Sequence, residues 1–138
     1  MGAAFVESFV NYPLWHIIGK TDTWISYHTA LGPRIIATLA VPALLLQLIT
    51  NILLIFFRPL AVPTWMIWVT LLLLLIAIAS SAFIQIPIQF QLDSGYSTEL
   101  VDHLISTDLS WRISITIIRC ILTIYMLYCL LKYNYKNS

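Results

Sequence analysis

Glu7, Arg112 and Arg119 are charges set in or beside apolar runs, and this makes them the residues best placed for chemistry. A carboxylate such as Glu7 accepts a proton, while guanidinium groups such as Arg119 and Arg112 stabilise negative charge developing on a ligand. Gln85 and Gln89 would orient that ligand, and Asn11, His16, His28 and Arg34 complete the candidate ligand-binding set. Glu7 and Asn11 are four residues apart and so share a helical face. Arg112 and Arg119 are seven apart on one face, about 10 Å along a helix axis. An isolated charge inside a membrane is costly, so a Glu7–Arg119 pair is expected at the floor of a cavity. A plainer reading of these side chains is structural, with the ion pair fixing helix register and the glutamines joining helices by hydrogen bonds. His16, His28 and His103 show no HxxxH spacing, no metal ligands are assigned, and the sequence specifies no cofactor.

Long apolar runs must hold these residues in place. Residues 65–92 read WMIWVTLLLLLIAIASSAFIQIPIQFQL, and Ser81, Gln85 and Gln89 recur every fourth position to form one polar stripe. Pro87 lies inside the stripe and is expected to bend the helix, freeing the carbonyl of Phe83; Pro42 does the same to Thr38. Lipid cannot satisfy those polar groups, so the stripe should face a protein interior or a wet cavity. Pro13, Pro42 and Pro87 fall at a common depth on three different helices, which predicts a splayed bundle with a cavity in one half of the bilayer.

The expected fold is an all-α integral membrane protein, an antiparallel bundle of four transmembrane helices in a single domain, 1–138. Its spans are about 2–19, 33–57, 64–92 and 111–132. The stretch DSGYSTELVDHLISTDLS carries a short interfacial helix, 97–106, capped by Ser97 or Thr98, with Leu100, Val101, Leu104 and Ile105 on one face. Pro33 is expected in the first turn of span two, with Trp24, Tyr27 and His28 at the membrane interface before it.

Composition excludes an ordinary soluble domain: 60% of residues are hydrophobic and 9% charged, and the mean hydropathy is +0.90. A net charge of +1 gives no electrostatic reason to bind nucleic acid. Cys120 and Cys129, nine apart, read as small buried hydrophobes. The start lacks a basic region and its first apolar run carries Glu7, so no cleavable signal peptide is expected. Arg58, Lys132 and Lys136 share one side, and Lys20, Arg34 and Arg112 the other. With Arg34 and Arg112 assigned to the pocket the count is three against one, and the positive-inside rule then places both termini in the cytoplasm of a bacterial inner membrane.

Glu7 with Asn11-Tyr12-Pro13, Tyr27-His28, Arg34, Gln85 with Pro87, and Arg112 together resemble small four-helix bacterial membrane proteins of the anthrone oxygenase-like group. That resemblance implies a membrane-embedded bundle acting on a lipophilic small molecule without a conventional cofactor. Glu7 in the first span is also similar to the small multidrug transporters, although Arg119, the interfacial third loop and the scarcity of glycine in the spans, where Gly2, Gly19, Gly32 and Gly95 fall at ends or in loops, depart from them. Three function classes follow: a membrane-embedded enzyme or binding protein for a lipophilic molecule, an accessory subunit of a larger membrane complex, and a proton-coupled transporter. The expected partners are the lipid bilayer, a lipophilic small molecule, and further copies or a larger complex.

Overall fold

The computed structural model describes residues 2–137, which form four helices and no strand. Helix α1 covers residues 2–18, α2 runs Trp24–Phe56, α3 Thr64–Leu92 and α4 Thr98–Lys136. The last three are long and apolar enough to cross a membrane. Their 33, 29 and 39 residues make about 50, 44 and 58 Å of helix, against roughly 30 Å of bilayer hydrocarbon.

Two boundaries differ from expectation. Helix α2 begins at Trp24 rather than near Pro33, which lies inside it. Its first two turns are held by Trp24, Tyr27, His28 and Leu31, which pack into the aromatic cluster below, and that packing outweighs the preference of proline for a helix start. The interfacial helix is not separate either. Ser97 caps it, its Oγ accepting from the Leu100 amide at 3.4 Å, but the backbone then runs without a break into the fourth apolar stretch.

Each helix contains one widened, π-helical segment: Glu7–Asn11, Ile36–Ala40, Ser81–Gln85 and Asp108–Ile113. The first three end two residues before Pro13, Pro42 and Pro87. A proline ring supplies no amide hydrogen and crowds the carbonyl four residues back, and a turn of one extra residue relieves that crowding. Accordingly the amides of Tyr12, Val41 and Ile86 reach five residues back, to the carbonyls of Glu7, Ile36 and Ser81. The segment in α4 has no proline; there the Ser114 amide and its Oγ, at 2.8 Å, both bond to the Leu109 carbonyl.

Two hydrophobic clusters lie at opposite ends. One is largely aromatic, built from Tyr12, Trp15, Trp24, Ile88, Leu92, Val101 and Leu104, so all four helices contribute. At this end Gly19 is required, because the Tyr96 ring and the Trp15 carbonyl occupy the space a Cβ would take. The other cluster is Val62, Met66, Ile67 and Met126, reinforced by Leu54, Ile55, Leu122 and Leu130, and α1 takes no part in it. Helix α1 instead lies along residues 98–113 of α4.

Candidate functional site

Between the two clusters is a cavity of about 380 Å³, within the size range of small-molecule pockets. All four widened segments contribute to its wall: Glu7 from α1, Ile36, Leu39 and Ala40 from α2, Ser81, Ala82 and Gln85 from α3, and Arg112 from α4. Helix α2 is tied to the rest above and below this level. Above, the Trp24 indole donates to the Leu92 carbonyl at 2.9 Å and His28 Nδ1 lies 2.7 Å from Asp93 Oδ1. Below, the Thr70 hydroxyl of α3 donates to Asn51 Oδ1 at 3.2 Å, and Arg119 Nη1 donates to Gln47 Oε1 at 2.6 Å. Between these ties the wall is formed by Gly32, Ile35, Ile36, Leu39 and Ala40. Ile36, Val41 and, from α3, Ile86 are each more than 40% exposed, so this wall opens sideways.

The polar groups divide into two sets. The upper set joins α1 to α4. Asp108 is fully buried, accepts a hydrogen bond from the Ser8 hydroxyl, and pairs with Arg112, whose Nε lies 2.5 Å from Oδ1 but off the hydrogen-bond axis. Arg112 Nη2 donates to the Tyr12 hydroxyl at 3.3 Å, and Gln89 Nε2 donates to the same oxygen at 3.4 Å. Glu7, buried beside this set, accepts from Asn11 Nδ2 at 3.0 Å. The lower set is Arg119 with Gln47. Gln85, on the widened segment of α3, donates to Ser80 Oγ at 3.4 Å and leaves Oε1 unbonded.

Of the residues singled out by type and spacing, Glu7, His28, Gln85, Gln89, Arg112 and Arg119 line the cavity, as does Ser81. Asn11 reaches the site only through Glu7. His16 faces elsewhere, 3.3 Å from Asp102 and 3.2 Å from the Tyr96 hydroxyl. Arg34 is exposed, because the cavity-facing positions of α2 (31, 32, 35, 36, 39, 40) leave it on the outer side. The expected Glu7–Arg119 ion pair is not formed. Because α1 lies along 98–113, Ser8 meets Asp108, and Glu7 sits level with Arg112 rather than one to two turns further along α4.

Tyr12, Trp15, Ser8 and Asp108 are the parts of the site that residue type and spacing did not single out. The i,i+4 spacing of Asp108 and Arg112 was the available signal, hidden by placing a helix break between them. The arrangement offers one carboxylate in a largely apolar wall, a neutralised arginine above and a second arginine below, which suits binding of a polar-headed lipophilic molecule and proton transfer to or from it. No three His, Cys, Asp or Glu side chains among the described residues are grouped to hold a metal ion. No family model, curated protein or solved structure matches this chain.

Proposed function

We propose that the protein is a four-span membrane protein that takes a lipophilic small molecule from the bilayer into the cavity between its two clusters. The observation that carries this reading is the sideways-opening cavity, whose mostly apolar wall is interrupted by a few convergent polar groups. Helix α1 is the fourth span: Val6, Phe9, Val10, Leu14 and Ile17 point outward, while Glu7, Ser8 and Tyr12 are buried, the polarity expected of a helix with lipid on one side. In this reading Glu7 exchanges a proton with the ligand, Gln85 and Gln89 orient it, and Arg112 and Arg119 supply positive potential.

The test is native mass spectrometry of protein extracted gently from its own membranes, beside an Ala77→Phe variant whose ring fills the cavity. A discrete small molecule that accompanies the wild type and is lost from the variant supports the reading. A protein partner in place of a small molecule overturns it in favour of an assembly subunit.

A further inference from the structure

We propose that the lower end of the cavity is a receptor for the head group of a single-chain amphiphilic anion, a carboxylate or phenolate that supplies the counter-charge Arg119 lacks. This rests on the reading above, and it names the class of ligand.

Arg119 is 4% exposed and its Nε has no hydrogen-bond partner among the described residues. Among the described residues its guanidinium donates to Gln47, which is neutral. None of the six acidic residues meets it. Glu7 is held by Asn11, Asp108 by Arg112, Asp93 by His28 and Asp102 by His16, while Asp22 and Glu99 are exposed at the aromatic end. A buried guanidinium without a counter-ion is costly, and more so at membrane depth. An anion in the cavity removes that cost and takes up the vacant Nε–H, forming the forked contact that guanidinium makes with carboxylate.

The surroundings favour an amphiphile over an inorganic ion. The Gln85 side chain, 1% exposed, brings its unbonded amide oxygen to the cavity as acceptor for a hydroxyl on the ligand. Leu39, Leu44, Leu74, Ala77 and Ile78 provide apolar wall for a tail, and the opening beside Ile36 and Ile86 faces the flank that lipid would cover. A cavity of this size admits one chain and excludes the two of a phospholipid. Arg112 does not compete for the head group, because Asp108 already neutralises it.

The test uses the full chain in nanodiscs of zwitterionic lipid, titrated with decanoate and with decanol and read by tryptophan fluorescence, since Trp15 borders the cavity. Decanoate is expected to bind at least about tenfold more tightly than decanol, and Arg119→Gln to abolish that preference. Arg119→Lys, which keeps the charge but not the fork, should retain part of it. Equal affinities in the wild type, or a preference that survives Arg119→Gln, overturn the anion assignment while leaving a lipophilic cavity in place. Failure of both compounds to bind overturns the cavity reading itself. Should Arg119→Gln not fold, the molecule recovered from the native protein decides: a single-chain acid supports the assignment and a neutral lipid overturns it.

Discussion

Arg112 and Arg119 stand seven residues apart on α4 and border the same cavity, yet their surroundings are opposite. Around Arg112 the protein supplies a buried carboxylate, a tyrosine hydroxyl and the Tyr12 ring, whose centroid is 5.9 Å from the guanidinium carbon. Around Arg119 the described residues supply one amide oxygen as hydrogen-bond acceptor and no carboxylate. The difference follows from where α1 runs. Beside residues 98–113 it brings Ser8 and Tyr12 to α4; further along, where α4 packs against α3, no polar helix is present to answer the second charge. The completed pair lies within α4 and is tied to α1 through Ser8 and Tyr12, so its charges serve the fold, whereas an uncompleted one leaves binding energy for a ligand.

This contrast is breakable by mutation. Arg112→Leu leaves Asp108 buried with only the Ser8 hydroxyl, and is expected to cost about 3–5 kcal/mol of stability. Thermal unfolding in detergent measures it, and the double change Asp108→Leu with Arg112→Leu should recover most of the loss. A smaller effect is expected from Tyr12→Phe, which removes the oxygen shared by Arg112 and Gln89 while the ion pair stays, at about 1–2 kcal/mol in the same assay. Arg119→Leu should cost least, about 1 kcal/mol or less, because one hydrogen bond is lost while a buried cation without a counter-ion is relieved. An equal loss for both arginine variants would show that Arg119 has a charge partner after all, and the distinction between the two ends would fall.

Parts of this site were legible in the sequence. Polar residues at every fourth position of an apolar run have few explanations, and Ser81, Gln85 and Gln89 do line the cavity. Prolines in three apolar runs marked where the helices depart from regularity, although a sharp bend and a widened turn have the same sequence signature. The Glu7–Arg119 pairing failed because it assumed that α1 and the fourth apolar run begin at opposite faces of one slab. The continuous helix 98–136 instead places its polar first third beside α1. Trp15 carries no signal of its own in the sequence, and Tyr12 enters there only with Asn11 and Pro13, because aromatic residues are common at membrane interfaces and their type alone distinguishes anchor from cavity wall poorly. The three helices long and apolar enough to cross a membrane follow from run length and apolarity alone.

The widened turns make the wall of the cavity a matter of chain length as well as of side-chain type. Each of the four segments carries a residue more than a regular turn would need. Loss of one residue within Ser81–Gln85 would let that wide turn close as a regular one and leave everything beyond it on nearly its present bearing. The same loss from a regular stretch such as 71–77 would swing everything beyond it by about 100° about the helix axis, and Gln85 and Gln89 would face outward although neither had been changed. At these four points the chain holds a spare residue, and the angular bearing of the polar stripe depends on the count everywhere between them.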